Sequence, residues 1–327
     1  MRLSFAALLT VLACGGAPAP SLRERPGELV MQQGQQMQGQ QMQGQQMQGA
    51  SLNGAEQPVV HSYTGASLAN GRALKKLSLE QGTLVGTGPA GRTYSGQALV
   101  GTLIPAQQGD ARLVTRISSA TPDPTFPEGG TWLYGVDVLA ADGSATPLCR
   151  PDLNGVSAAI PVAATFNTHG DRVESTTQFT FGCTAGVVAK CYRWGYKPWL
   201  TGDDDFAALH WACTRMARAD YCGDGTSGTF DGTWINLWDS AGAPGPFNSY
   251  SAAPGYLFEA GWSTRGAVCL SKQRWLTLPP DVQARCPDRL IAPGAATGVA
   301  TVCDTQSDVA LFDSTTELFD ESQVNVK

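Results

Sequence analysis

The 327-residue chain carries a net charge of −6 and only 15% charged residues, with 38 glycines and 20 prolines. That length holds one large domain or two ordinary ones, either able to bury a core. The acid excess argues against a nucleic-acid partner, which needs clustered Lys and Arg. Few charges with abundant Gly and Pro describe a loop-rich, extracytoplasmic β-type protein rather than a helical cytosolic one.

The first fourteen residues, MRLSFAALLTVLAC, contain one Arg, then an apolar run too short to span a bilayer, then a small residue before Cys14. They resemble a bacterial lipoprotein signal: residues 1–13 would be the signal peptide and Cys14 the lipid-bearing residue. The alternative is an ordinary secretory signal cut nearby. Gly15 after the cysteine favours the outer membrane under the sorting rule for such lipoproteins. No other segment has the apolar length of a membrane helix, so the lipid on Cys14 is the expected link to the membrane. Residues 14–57 then form anchor and tether. Within them, residues 31–49 consist only of Met, Gln and Gly at a period of five, with no face to bury, so disorder is expected. About 40 such residues have an r.m.s. span of roughly 35 Å.

A globular unit is expected over residues 58–303. From 58 to 182, short alternating runs separated by turn signals predict half-buried strands: Leu74–Leu79, Gln97–Ile104, Arg112–Ile117, Thr131–Leu139, Ser157–Phe166 and Glu174–Phe181. Ala141–Ser144 (ADGS) and Asn167–Gly170 (NTHG) predict turns, the latter a hairpin. Gly86–Gly91 matches G-x-G-x-x-G, but a strand-like run follows it instead of a helix, so it too reads as a hairpin turn. The expected fold is α+β and mainly β, an antiparallel sandwich or barrel-like part followed by a cysteine-rich part over 183–303.

One central helix is expected at about 203–221. Thr201–Asp205 supplies a capping side chain and acids for the first turn, and Phe206, Leu209, Cys213, Met216 and Ala217 recur on one face. Gly223 is the expected stop. Extended to Tyr221, this helix puts Asp220 on the buried stripe and turns Arg215 and Arg218 away. A buried carboxylate needs bonds or a partner. Asp220 therefore reads first as a cap for amides of the adjacent loop, and second as an acid/base partner of His210. His210 and Asp220 stand about 15 Å apart along an unbroken helix, which opposes direct pairing.

Besides Cys14, the eight cysteines Cys149, Cys183, Cys191, Cys213, Cys222, Cys269, Cys286 and Cys303 are an even number in an exported chain and predict four disulfides with connectivity open. There is no C-x-x-C pair to suggest zinc or a redox motif. Asp224 and Asp231 among glycines are weak calcium candidates, because Asp-Gly is common turn chemistry. Aromatics are dense after residue 191, from Tyr192, Trp194, Tyr196 and Trp199 to Trp275, and serve a core or a glycan-binding face. Residues 304–327 hold six acids against Lys327 and are expected to be a solvated acidic tail. No cofactor motif is present.

Cys213–Gly225 (CTRMARADYCGDG) resembles the ADYC domain family through Ala219, Asp220, Tyr221 and Cys222. The likeness extends to Phe179–Cys183, Ala189–Cys191, Gly195–Trp199, Phe258–Trp262 and Gly266–Cys269, and more loosely to Pro147–Cys149, covering about residues 75–290. The resemblance implies an exported, cysteine-rich bacterial domain, common on lipoproteins and without an assigned activity or catalytic residues. The expectation is a lipid-anchored envelope protein with a non-enzymatic binding or scaffold role toward a glycan or protein. The alternative is an extracytoplasmic hydrolase built on His210, Arg215, Asp220 and Asp224.

Overall fold

The computed structural model describes residues 51–54, 59–124, 130–152, 154–200, 205–231, 233, 235–239, 256–275, 282–286 and 318–323. The signal segment, Cys14, the Met/Gln/Gly tract, Thr201–Asp204 and Cys303 lie outside the described residues.

The first half is built from β1 (Val60–Ser62), β2 (Lys76–Glu80), β3 (Thr83–Thr87), β4 (Thr93–Ser95), β5 (Leu103–Gln108), β6 (Ala111–Pro122), β7 (Trp132–Leu139), β8 (Ala145–Pro147), β9 (Ala159–Val162), β10 (Ala164–Phe166), β11 (Arg172–Glu174) and β12 (Gln178–Cys183). Six of them close an antiparallel barrel in the order β6-β5-β1-β12-β9-β7, with β7 pairing back onto β6. Closure removes the free edges that an open sheet would expose. The inward residues Ile104, Ile117, Tyr134, Val136, Phe179 and Phe181 are buried, as alternation predicts. A register shift between Ile117 and Ser119 lets the long β6 bend as it passes from β5 to β7.

The separate β2-β3-β4 sheet adds Leu77 and Leu84 to the barrel core, and Leu84 N–H donates to the Tyr134 hydroxyl at 3.2 Å. The turns at 141–144 and 167–170 form as expected, and the Gly86–Gly91 stretch does end β3 and enter a hairpin. Two expected strands fail at their starts: Glu174–Phe181 runs only from Gln178, where β12 begins, and Gln97–Ile104 starts later still. Gly96–Leu99 is a 3₁₀ turn, and β5 begins only at Leu103. Gly96 sits at φ +52° with Trp132 so close that a Cβ would stand 2.5 Å from the indole, so the chain turns here instead of extending.

Two helices, not one, open the second half: α1 (Val187–Arg193) and α2 (Phe206–Arg218). The segment VVAKCYR buries six of its seven residues, so it lacks the polar face that reveals a helix by period. Helix α2 has the predicted buried stripe, and Asp205 caps it by accepting from Ala207 and Ala208 N–H at 3.0 and 3.1 Å. It ends at Arg218, short of the expected Tyr221. The helices are joined by Cys191–Cys213 and pack their apolar faces into one core.

Behind α2 lies a four-stranded antiparallel sheet ordered β13-β16-β14-β15, from β13 (Ile235–Asp239), β14 (Tyr256–Ser263), β15 (Gly266–Leu270) and β16 (Leu318–Gln323), with the short α3 (Val282–Arg285) nearby in sequence. The solvated tail expected for 304–327 is thus wrong at 318–323. Strand β16 lies inside the sheet with Leu318, Phe319, Asp320, Glu321 and Ser322 all buried. Its acids are tolerated because each has a buried donor: Trp262 and Arg274 for Asp320, Asn236 for Glu321. Cys149–Cys183 fastens the barrel and Cys222–Cys286 ties the end of α2 to α3, while Cys269 is disulfide-bonded as well. Among the described residues no helix is long and apolar enough to cross a membrane.

Candidate functional site at the Ala217–Gly225 turn

Helix α2 stops because Ala219 adopts the left-handed conformation, φ +50°. Ala219 N–H then donates to Met216 O and Asp220 N–H to Arg215 O, both at 2.9 Å, the paired pattern that satisfies the last carbonyls of a helix. The reversal is what sequence extrapolation missed. It folds Asp220 back beside the helix, so Arg215 is its partner and does not point away: Arg215 Nη1 donates to Asp220 Oδ2 at 2.6 Å. Arg218 is also buried, and its guanidinium donates to Gly225 O at 2.5 Å.

Asp220 and Arg215 are each only 1% exposed. Asp220 accepts from Asp224 N–H at 3.1 Å and from Gly225 N–H at 3.0 Å, which is the loop-capping role. Burial raises its pKa above the ordinary value, against Arg215, which lowers it. Arg215 also donates to Thr264 O in the β14–β15 turn at 3.1 Å, and to His169 O and Asp171 in the β10–β11 turn. One guanidinium therefore joins three loops. Gly225 packs so closely on that hairpin that a Cβ would stand 2.8 Å from His169 Cα.

Tyr221 stacks on Trp262 with ring centroids 5.3 Å apart. Its hydroxyl donates to Glu259 at 3.0 Å and accepts from Arg274 N–H at 2.7 Å. Arg274 is the centre of a second buried cluster. It bonds Glu259 through Nε and Nη2 at 3.0 and 2.9 Å, Asp320 at 2.9 Å, and the α2 carbonyls of Met216 and Ala217 at 2.9 and 3.2 Å. Burial and the adjacent Glu259 carboxylate drive the Asp320 pKa well above its usual value. No local pattern in the sequence announces this cluster, since its members stand 15 and 46 residues apart.

The other sequence candidates go elsewhere. His210 is fully buried, donates from Nε2 to Val188 O at 3.0 Å, and is held by burial at a pKa of about 3. Asp224 caps Thr226 N–H at 2.9 Å and pairs with Arg285. Asp231 joins no group of metal-ligating side chains, as none of three or more occurs among the described residues. The structure thus brings Arg215, Asp220 and Asp224 together and leaves His210 on the far side of α2, against α1.

On the outer side of α1 an open cleft of about 230 Å³ is lined by Leu79, Gly82, Arg172, Glu174, Tyr192 and Trp199, among others. Trp199 is half-buried, with Tyr192 edge-on to it at 5.2 Å and Lys197 Nζ 5.8 Å from its ring centre. Sequence reasoning singled out Trp199 and Tyr192 as aromatics but gave no hint of Arg172 or Glu174.

Fold and turn together define a class: a barrel-based, disulfide-braced domain of an oxidising, extracytoplasmic compartment. The family model of the ADYC domain matches residues 96–276, more than half of the chain, and the protein belongs to the ADYC domain family. No curated protein and no solved structure shows significant similarity to it.

Proposed function

We propose that this is a lipid-anchored cell-envelope protein with a non-enzymatic binding or scaffold role, held to the outer membrane through Cys14. The observation that carries the reading is the condition of the ADYC turn: Asp220, Tyr221 and Arg215 are buried and bonded to the protein's own groups. Side chains so engaged brace a surface rather than meet a substrate. The signal-like sequence before Cys14 and the Met/Gln/Gly tract after it support the anchor and tether. The hydrolase alternative has less support, because His210 is bonded to α1 and turned from the Asp220 cluster.

The test is retention of the purified full chain on immobilised peptidoglycan, envelope polysaccharide and envelope protein fractions. Saturable retention on one fraction is expected. Failure on all three, or hydrolysis of any of them, contradicts the reading.

A further inference from the structure

We propose that the cleft between the β2–β3 hairpin, β11 and α1 takes one neutral sugar ring of a glycan chain. This rests on the binding role above and names its ligand class. The cleft has room for a single ring-sized group, with apolar walls from Leu79, Pro161 and the Trp199 indole. Gly82 makes the indole wall possible. A Cβ there would stand 2.4 Å from Trp199 Cη2, and the residue sits at φ +75°.

The polar part of the wall is an ion pair whose acidic member is exposed. Arg172 has a side chain only 6% exposed and paired with Glu174, yet its Nε–H has no partner. That Nε–H has almost no exposed surface, so what the pair offers a ligand is the Glu174 carboxylate. The Glu174 side chain is 68% exposed, and Oε2, the oxygen outside the Arg172 pair, can accept from a ligand.

These features discriminate among ligand classes. An anionic ligand meets the Glu174 carboxylate, and a cationic one meets Arg172. A purely apolar ligand takes water from the Glu174 carboxylate and returns no donor. A neutral hydroxyl donates to the carboxylate, and a pyranose carries adjacent hydroxyls on an otherwise apolar ring body, which suits a cleft with apolar walls and one exposed acceptor.

The test is calorimetric titration of the full chain in detergent with soluble hexasaccharides of β-1,4-linked glucose and of β-1,4-linked N-acetylglucosamine. It is run on the wild type, Glu174→Gln and Trp199→Ala, with thermal melting of each as a folding control. Glu174 is exposed but pairs with the buried Arg172, so a modest loss of stability is expected in Glu174→Gln, and binding is compared at a temperature where melting shows both proteins folded. The expected result is saturable binding of at least one hexasaccharide, weakened roughly tenfold by Glu174→Gln, the loss of one charge-assisted hydrogen bond. Binding that Glu174→Gln leaves unchanged, or none to either sugar, overturns the inference. If the chain is still retained on an envelope fraction in that case, the binding role stands and only the cleft assignment falls. If retention is absent too, both fall.

Discussion

Tyr221 is the residue through which the turn reaches the buried Arg274 cluster. Tyr221→Phe keeps the stack on Trp262 but strands the buried Arg274 backbone N–H and takes one donor from Glu259, which keeps its two bonds from the Arg274 side chain. The expected loss is about 1–3 kcal/mol of unfolding free energy, the cost of unsatisfied buried groups, measured by urea denaturation. His61 is a second residue with a definite signature. It lies in the barrel core against Phe179 and Phe181, and burial lowers its pKa to about 3 from 6.5. The unfolded chain therefore binds a proton between those values that the folded one refuses. The stability is full above pH 6.5 and is lost as pH falls toward 3, by up to about 1.4 kcal/mol per pH unit for this one group. His61→Phe should remove one such proton from the slope between pH 6 and 4, and an unchanged slope contradicts the assignment. The sequence led to a buried, amide-capping Asp220 by extending the helix to Tyr221, and Asp220 is buried and caps amides, but from a turn beyond the helix end at Arg218. It misplaced the partner, because a left-handed Ala219 is a choice of tertiary packing that no propensity for Ala foretells.

At the scale of elements, periodicity was informative where one face meets solvent and silent where both are buried. Strand β6, with exposed residues between its buried ones, was readable for the first reason; α2, ten of whose thirteen residues are buried, was read instead from the polar residues that divide its apolar ones in the sequence. Helix α1 and strand β16 were not. LFDESQ looks like a solvated acidic tail until Arg274, Trp262 and Asn236 are brought to it from far along the chain. The pairing of cysteines was likewise open in the sequence and is settled for three bridges by the fold. Cys222–Cys286 spans 64 residues, a loop whose closure restricts the unfolded chain by about 4 kcal/mol in the entropy model. Replacing both cysteines by Ala should lower the urea midpoint by a corresponding amount. A shift below about 1 kcal/mol would show that the end of α2 is held by Arg274 and Arg215 alone.

Across the whole molecule, the barrel and the C-terminal sheet meet at α2, and Arg215 bonds groups on both sides. His169 and Asp171 belong to the β10–β11 hairpin of the first half, Thr264 to the β14–β15 turn of the second, and Asp220 to the turn between. This joint is not legible in the sequence, because its four partners come from three separate loops. The central claim is that the Ala219–Cys222 turn is a brace. Urea unfolding of Asp220→Asn tests it most directly. Removing one charge of a buried pair leaves Arg215 under-compensated, and the expected loss is about 3–5 kcal/mol, with barrel and sheet losing structure in one weakened transition. A midpoint within about 0.5 kcal/mol of the wild type, together with loss of ligand retention, would contradict the brace and make Asp220 part of a site.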